Sequence, residues 1–251
     1  MTENKKIYSL PKSLTSNNFH YCAGCGHSTV HKLIAQSLDE LGIRERTIGV
    51  APVGCAVYAY LYIDCDFSEA PHGRTPAVAT GIKRFRPDRI VFSYQGDGDL
   101  AAIGTAETIH AANRGENISV IFVNNTVYGM TGGQMAPTTL IGQKTATSPQ
   151  GRDIALMGTP VRMCELLNTL ETPYYIERVA LDTPAGVRKA GRAITNVFRA
   201  QMENKGYSFV EILSSCPTYL RMDPVQSLEF ISNEMAKQFP VKLFRKNGVV
   251  C

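Results

Sequence analysis

Polar side chains that suit a metal ion and a phosphate follow two neighbouring apolar runs of the chain. Gly-Asp-Gly-Asp occupies positions 96–99 after one run, and Asn-Asn occupies positions 124–125 after the next. Mg²⁺ takes oxygen ligands in near-octahedral geometry, and proteins commonly supply one or two of them beside phosphate oxygens and water. Asp97 offers an anionic oxygen and Asn125 a neutral one. The pair therefore predicts a Mg²⁺ site beside a phosphate group.

The glycines and the helix that follows them suit a phosphate at the same place. Gly96 and Gly98 let the backbone come close to a ligand, and a helix that begins near Leu100 would point its N–H groups at an anion. A Gly-Asp-Gly-Asp string alone is more often a strand-to-helix turn with an Asp cap. The Asn-Asn pair, which comes after an intervening helix and strand, favours a diphosphate site over that turn.

The apolar periodicity places both motifs at one edge of a parallel sheet. The predicted helices are 28–41, 75–85, 100–113, 162–170, 183–203 and 225–237, and the predicted strands are 46–50, 89–94, 118–123, 174–179 and 209–213. The second and third strands form a βαβ unit with the helix between them, so their carboxyl ends share one edge. Open α/β sheets bind ligands in the crevice beyond that edge. The segment 127–160, rich in Gly, Thr and Pro, predicts a long functional loop.

Four of the cysteines could form a thiolate cage. Cys22 and Cys25 make a CxxC pair, Cys55 lies in a Pro-Val-Gly-Cys turn, and Cys216 precedes a proline. Four thiolates hold either an iron–sulfur cluster or zinc, and the sequence does not separate the two. The alternative is four unrelated buried thiols, which the CxxC spacing in a Gly-rich loop disfavours.

Composition and charge exclude several classes of protein. The 251 residues are 44% hydrophobic, with 26 basic and 22 acidic residues and a net charge of +4. This balance, without a basic stripe interleaved with aromatics, disfavours a nucleic-acid partner. Apolar runs fall short of the ~20 residues of a membrane span, and the N-terminus lacks a signal-peptide pattern. We therefore expect a cytoplasmic protein with no membrane partner.

His27 and His31 predict a packed or solvated helix face rather than a metal site.

The residues around these motifs resemble a known family. The stretch 124–134 (Asn-Asn-Thr-Val-Tyr-Gly-Met-Thr-Gly-Gly-Gln) and His-Gly-Arg at 72–74 are similar to the β subunits of 2-oxoacid:ferredoxin oxidoreductases, which bind thiamine diphosphate. The resemblance covers most of the chain, and its combined motifs are highly specific. It implies a single-domain α/β fold, a parallel-sheet thiamine-diphosphate-binding fold with helices on both faces.

The resemblance assigns a role to each motif. Mg²⁺ would be held by Asp97, Asn125 and the backbone carbonyl of Val127. A [4Fe–4S] cluster would be held by Cys22, Cys25, Cys55 and Cys216, whereas Cys65, Cys164 and Cys251 match no ligand position. The thiamine diphosphate would be lined by Val53, Gly54, Cys55, Ala56, His72, Gly73, Arg74, Thr75, Gly96, Gly98, Asp99, Gly129 and Met130.

Two positions differ from the family's usual pattern. Asn124 stands where many relatives carry Asp, and Ala23 stands where relatives often carry Pro. Neither change removes a ligand or alters the CxxC spacing, so we expect little consequence. The predicted organisation is an N-terminal arm at 1–20, a thiamine-diphosphate and iron–sulfur binding domain at 21–220, and a C-terminal helix and tail at 221–251.

The resemblance also implies an activity. Such enzymes convert a 2-oxoacid and coenzyme A into an acyl-CoA and CO₂, and pass electrons through the cluster to ferredoxin in anaerobic metabolism. No side chain of this chain is assigned a catalytic role, because the cofactor performs the chemistry. The chain shows no pyrimidine-domain glutamate motif, so it should require an α subunit, with γ and ferredoxin-like δ subunits as further partners. In the detail of its motifs, the sequence is most similar to the β subunits of the 2-oxoisovalerate type. The 2-oxoglutarate and pyruvate types are alternatives.

Two functions from other classes compete with this one. A non-oxidative thiamine-diphosphate decarboxylase would use Asp97 and Asn125 but would not need four cysteines. A zinc-stabilised interaction module would explain the cysteines but would leave Asp97 and Asn125 without a function.

Overall fold

An eight-stranded, mostly parallel sheet forms the centre of the protein. The computed structural model describes residues 9–251, so residues 1–8 of the predicted arm lie outside it. The strands are β1 (Thr47–Ala51), β2 (Asp66–Glu69), β3 (Ile90–Gly96), β4 (Ser119–Asn124), β5 (Val127–Tyr128), β6 (Gln134–Met135), β7 (Tyr175–Ala180), β8 (Ser208–Leu213), β9 (Leu243–Lys246) and β10 (Val249–Val250). The sheet order is β10-β9-β7-β8-β4-β3-β1-β2, with β5 and β6 in a separate hairpin. Strands β9 and β10 pair antiparallel, and the other six strands of the sheet pair parallel.

Helices cover both faces of this sheet. The α-helices are α1 (His27–Leu41), α2 (Thr75–Phe85), α3 (Thr105–Asn113), α4 (Ile154–Met157), α5 (Met163–Asn168), α6 (Pro184–Met202), α7 (Pro217–Leu220), α8 (Pro224–Phe230) and α9 (Ala236–Gln238). The apolar sides of α1 and α6 share one buried cluster with β3, β4 and β8. Those of α2, α3 and α5 share a second cluster on the opposite face. The predicted fold class, a parallel sheet with helices on both faces, is confirmed.

One predicted helix is broken where the backbone of another loop approaches it. In place of a continuous helix at 100–113, the chain forms a π-turn at Gly98–Ile103 and then α3. A Cβ added at Gly104 would lie 2.5 Å from the carbonyl oxygen of Asp99 and 2.6 Å from that of Gly73. Since real Cβ atoms do not approach so closely, only glycine permits this contact.

The C-terminal segment contributes strands that the periodicity did not predict. Strand β9 pairs antiparallel with β7, and Asn247 and Gly248 connect β9 to β10 with φ values of 55° and 76°. Two successive residues with positive φ are typical of the hairpin turn that Asn-Gly favours. This part of the predicted tail therefore completes the sheet. Strand β2, at the other edge, was also not predicted.

The chain order of the strands creates a crevice at one point of the sheet. After β1 the chain crosses to β2 on one side, and it then returns to form β3 on the other side of β1. Such a reversal leaves the two loops that follow the strands diverging, and ligands bind in the resulting gap. The loops after β1 and β3 contain Cys55 and Asp97. None of the helices within residues 9–251 is long and apolar enough to cross a membrane.

A buried histidine in α1 predicts a loss of stability in mild acid. His31 is fully buried, its Nε2 lies 2.6 Å from the hydroxyl of Tyr21, and burial, followed by repulsion from His27 and His20, lowers its pKa well below the usual value. The neutral form is therefore favoured in the fold, while the unfolded chain takes up a proton below about pH 6.5. Stability should be fully present at pH 7 and fall as the pH drops below that value.

Urea unfolding at pH 7 and pH 5 measures this dependence. The variant His31→Gln should show a smaller loss between the two pH values than the wild type, and the exposed His110→Gln should behave as the wild type does. An equal acid loss in all three proteins would contradict the assignment to His31.

Candidate functional site

A cleft opens beyond the carboxyl ends of β1, β3 and β4, at the point where the strand order reverses. Most of the residues predicted to line a cofactor surround it, namely Val53, Gly54, Cys55, Ala56, His72, Gly96, Gly98, Asp99, Gly129 and Met130. The three residues predicted to hold Mg²⁺ also line it, namely Asp97, Asn125 and Val127. The fold thus brings together segments that are far apart in the sequence, as a ligand site at a switch point requires.

Three acceptor oxygens converge on one side of this cleft. The terminal side-chain atom of Asn125 lies 2.7 Å from the carbonyl oxygen of Val127 and 3.1 Å from Oδ2 of Asp97. When that atom is the amide oxygen, no proton lies between it and either neighbour; when it is the amide nitrogen, it donates to both. Three oxygens facing one point at these separations suit a small hard cation with closely spaced ligands. The donor set therefore fits Mg²⁺ in the orientation with the amide oxygen inward.

Asp97 is buried among neutral donors. Its carboxylate accepts hydrogen bonds from the N–H groups of Gly98 and Val127, at 2.9 and 3.1 Å, and from the hydroxyl of Thr138 at 3.2 Å. Burial raises the pKa of Asp97 to about 7, against the lowering effect of these hydrogen bonds. A buried carboxylate is costly unless it is paired, so the position favours a cation as its partner.

The four predicted thiols lie near one another at the side of the cleft. A Cβ added at Gly129 would meet Sγ of Cys55 at 3.2 Å and Sγ of Cys216 at 3.4 Å, so both sulfurs flank the same peptide. Burial, followed by repulsion from Cys25, Cys216 and Cys22, raises the pKa of Cys55 to about 12. All four thiols are therefore within electrostatic reach of one another.

This grouping is looser than a site for a single ion. Within residues 9–251, no group of three or more His, Cys, Asp or Glu side chains is gathered closely enough to hold one metal ion. The soft sulfur donors suit an iron–sulfur cluster by their chemistry. The cluster ligands therefore stay a prediction. Among the other cysteines, Cys164 is packed in the apolar core, and Cys251 is exposed at the C-terminus.

Comparison with known proteins identifies the family. The model for the C-terminal TPP-binding domain of thiamine pyrophosphate enzymes matches residues 53–212. Ketoisovalerate oxidoreductase subunit VorA of Methanothermobacter thermautotrophicus is 59% identical over 226 residues, which is 90% of this chain and 47% of the relative. 2-Oxoglutarate synthase subunit KorB of Methanocaldococcus jannaschii is 38% identical over 200 residues, which is 79% of this chain and 70% of the relative. The chain belongs to the thiamine-diphosphate-binding subunits of the 2-oxoacid:ferredoxin oxidoreductases.

The fold of this oxidoreductase subunit is shared with a solved relative. The 2-oxoglutarate:ferredoxin oxidoreductase from Magnetococcus marinus aligns with a TM-score of 0.76 and 24% identity, and the alignment covers 97% of this chain and 87% of that one. This likeness establishes the architecture and confirms the predicted thiamine-diphosphate-binding fold. The chain spans about half the length of the ketoisovalerate relatives that it matches, 47% in each case.

Asp99 organises the loops of this subunit's cleft. It is buried, and it lies within hydrogen-bond distance of the N–H groups of Val53 and Gly73 and of the side chains of His72, Thr75 and Gln95. Its carboxylate therefore ties the turn after β1 and the start of α2 to the end of β3. Gly73 and Thr75, predicted to line the cofactor, contact Asp99 instead of lining the cleft.

Arg74 connects two helices beside the cleft. Its guanidinium forms an ion pair with Glu107 of α3. This ion pair places Arg74 at the junction of α2 and α3. Its predicted contact with the cofactor stays a prediction.

Several residues of the cleft were not among the predicted set. His27, Ile103, Tyr128 and Thr131 also line it. His27 is buried as the packed helix face predicted, and its Nδ1 lies 2.5 Å from the hydroxyl of Tyr94. The ring of Tyr128 lies 3.0 Å from the position of a Cβ at Gly98. The closeness of Tyr128 explains the glycine. A tyrosine three residues after the Asn-Asn motif could have indicated a wall of the site.

Arg152 holds the long loop that contacts Asp97. Its buried guanidinium donates to the backbone carbonyls of Pro137, Thr139, Met157, Gly158 and Thr159 at 2.8 to 3.1 Å. The same loop supplies the hydroxyl of Thr138 to Asp97. A single side chain therefore fixes the loop through hydrogen bonds to its backbone. These bonds require no pattern of apolar residues in the loop.

Replacing Arg152 by Lys is expected to lower the free energy of unfolding by about 3 kcal/mol. A lysine has three donors, so at least two of the five carbonyls lose their partner, and each unsatisfied buried group costs about 1–3 kcal/mol. Urea unfolding measures the difference. The exposed Arg162→Lys is the matched control and should stay within about 0.5 kcal/mol of the wild type. A similarly small effect at Arg152 would contradict its role in holding the loop.

Proposed function

We propose that the chain is the thiamine-diphosphate-binding β subunit of an enzyme that oxidatively decarboxylates 2-oxoisovalerate. The reaction converts the 2-oxoacid and coenzyme A into the corresponding acyl-CoA and CO₂. Two electrons leave one at a time for two ferredoxin molecules, and the thiol proton of coenzyme A is released. The observation that carries the proposal is the position of Cys55, which lines the cleft and flanks Gly129 together with Cys216.

The residues of the cleft would hold the cofactor at its diphosphate. Asp97, Asn125 and the carbonyl of Val127 would bind Mg²⁺, which would offset the negative charge of the diphosphate. Gly98, which carries no side chain, would let the first turn after β3 come close to the same anion. When bound, thiamine diphosphate supplies a nucleophilic carbon and an electron sink for decarboxylation. Asp99, through its contacts to Val53 and Gly73, keeps the turn after β1 at a fixed distance from this group.

The thiols would place an electron acceptor next to that chemistry. Cys22, Cys25, Cys55 and Cys216 supply the four sulfurs that a [4Fe–4S] cluster takes. Because Cys55 belongs both to the cleft and to the thiol group, an acceptor held there would be adjacent to the reacting end of the cofactor. This proximity favours one-electron transfer over simple decarboxylation.

The relatives support the choice of substrate. Identity is 59% to the ketoisovalerate subunit and 38% to the 2-oxoglutarate subunit. The relatives' names describe subunits, so we propose that this chain acts with an α subunit, and with γ and ferredoxin-like δ subunits. Coenzyme A and ferredoxin are the proposed co-substrates.

Anaerobic purification of the complex from the native host tests the proposal. We expect co-purifying subunits, bound thiamine diphosphate, iron and acid-labile sulfide, and ferredoxin reduction with the highest kcat/KM for 2-oxoisovalerate among 2-oxoisovalerate, 2-oxoglutarate and pyruvate. Release of CO₂ without iron would favour a non-oxidative decarboxylase. Stoichiometric zinc without thiamine diphosphate would favour an interaction module, and steady turnover by the isolated chain would refute the need for partners.

A further inference from the structure

A strained residue lies between two of the proposed cation ligands. Thr126 has a φ of 64°, in a region that a β-branched residue rarely adopts. Its neighbours, Asn125 and Val127, present the amide and carbonyl oxygens that face Asp97. Strained residues persist only where the surrounding structure holds them. The contacts of Thr126 therefore show what holds the cation site in shape.

Every polar atom of Thr126 has a partner. Its N–H donates to Oδ1 of Asn124 at 3.2 Å, and its hydroxyl donates to the carbonyl oxygen of Asn125 at 2.7 Å. Its carbonyl oxygen accepts from the hydroxyl of Thr139 at 2.6 Å, and its hydroxyl accepts from Nε2 of Gln143 at 3.0 Å. The residue is fully buried. The turn is thus clamped from β4 on one side and from the long loop on the other.

Asn124, the residue of β4 that contacts Thr126, is itself held by a buried ion pair. Nδ2 of Asn124 donates to Oε1 of Glu211 at 2.8 Å, while Oε2 of Glu211 accepts from Nε of Arg178, also at 2.8 Å. The side chains of Arg178 and Glu211 are both 0% exposed. Because Glu211 accepts from the amide NH₂ group, the amide oxygen of Asn124 must face the N–H of Thr126. The ion pair therefore fixes which way the amide points.

The contact with Glu211 gives Asn124 a supporting role that the sequence did not indicate. An aspartate at this position would place a second carboxylate against Glu211, and two negative charges that close repel each other. The difference from the family's usual pattern therefore concerns the support of the cation site. It leaves the ligands themselves unchanged.

We propose that Thr126, Asn124 and Glu211 are positioning residues for the cation: they hold the turn at 125–127 in the strained form that directs two oxygens at the ion bound by Asp97. The inference rests on the proposed function, since it concerns the Mg²⁺ that carries the diphosphate. The three residues touch neither substrate nor cofactor and act through Asn125 and Val127.

An exchange of the two polar groups tests the proposal. Asn124→Asp and Glu211→Gln each disrupt the Asn124–Glu211 hydrogen bond or its charge balance, whereas the double variant restores the bond with donor and acceptor reversed. It also keeps the net charge of the buried cluster. Binding of Mn²⁺, as a probe for Mg²⁺, is measured by electron paramagnetic resonance on the full chain with thiamine diphosphate present. Each single variant should bind about tenfold or more weakly, and the double variant should return to within about threefold of the wild type.

Two further variants separate positioning from general stability. Thr126→Gly removes both the strain and the hydroxyl contacts, so Mn²⁺ affinity should fall about tenfold while the melting temperature without cation stays equal or rises. Ser119→Ala removes a buried hydrogen bond to Val197 at the far end of β4, and it should lower the melting temperature without changing Mn²⁺ affinity.

The outcomes are distinguishable. Should the wild type bind Mn²⁺ while Thr126→Gly and the single exchanges bind it equally well, the positioning role is overturned and the proposed function stands. A double variant no better than the single ones overturns the role of the Asn124–Glu211 bond. Failure of the wild type itself to bind Mn²⁺ with thiamine diphosphate overturns the cation site, and the inference with it.

Discussion

Replacing Asp97 by Asn is expected to weaken Mg²⁺-dependent binding of thiamine diphosphate by more than about 100-fold, because even partners of metal ligands contribute about 10–100-fold and Asp97 is the anionic ligand itself. Asparagine keeps the size of the side chain but removes the charge that faces Asn125 and Val127. The fold should change little in stability. The lost hydrogen bonds are offset by removing a buried carboxylate, so the free energy of unfolding should stay within about 1 kcal/mol of the wild type.

Calorimetric titration of thiamine diphosphate at fixed Mg²⁺, with urea unfolding of the same preparations, measures both quantities. Asp153→Asn is the matched control, because Asp153 caps α4 through the N–H of Leu156 and lies outside the cleft residues. Asparagine caps a helix as well as aspartate does, so this variant should bind as the wild type does. Unchanged affinity in Asp97→Asn would remove Asp97 from the cation site.

Replacing Cys55 by Ser is expected to remove iron and acid-labile sulfide from the protein and to lower ferredoxin reduction on the order of 100-fold. A hydroxyl is a poor ligand for iron in a sulfur cluster, since such clusters take thiolates. Thiamine diphosphate should still bind, with a loss of affinity far smaller than that of Asp97→Asn, because the diphosphate side of the cleft is built by other residues. Metal analysis, cofactor extraction and ferredoxin reduction on anaerobically purified protein give the three quantities.

Two matched variants show whether the effect comes from the cluster or from the cleft. Cys216 does not line the cleft but shares the neighbourhood of Gly129 with Cys55, so Cys216→Ser should lose iron to the same extent. Cys65→Ser, also a partly buried thiol, should keep it. Full iron content in Cys55→Ser, or equal loss in Cys65→Ser, would contradict the proposed ligand set.

The sequence predicted the elements that position the site because local patterns specify them. Helices α1, α2 and α6 begin and end within one residue of their predicted bounds, since their apolar faces and their Gly or Pro boundaries are local signals. Strands β3 and β4 are buried, mostly apolar segments, and Asp97 and Asn125 follow them directly. The strand–helix–strand order along the chain was enough to predict that Asp97 and Asn125 lie at the same edge of the sheet.

The remaining features depend on contacts between distant segments, which a single sequence does not display. Arg152 binds only backbone carbonyls, so no residue type marks its partners. The bond between Asn124 and Glu211 joins two strands that are far apart in the chain. The break at Gly104 arises from the approach of Gly73. By contrast, the hairpin after β9 carried a recognisable Asn-Gly signal.

The short stretch from Asn125 to Gly129 connects the proposed cation site to two of the proposed cluster ligands. Its first residue faces the cation position and its last lies between two thiols, with only Thr126, Val127 and Tyr128 between them. Because the protein interior is densely packed, a shift of one end of this short stretch should displace the other end. Damage by oxygen at Cys55 or Cys216 should therefore also loosen the vitamin, and a protein assembled without the vitamin should build its inorganic centre less completely.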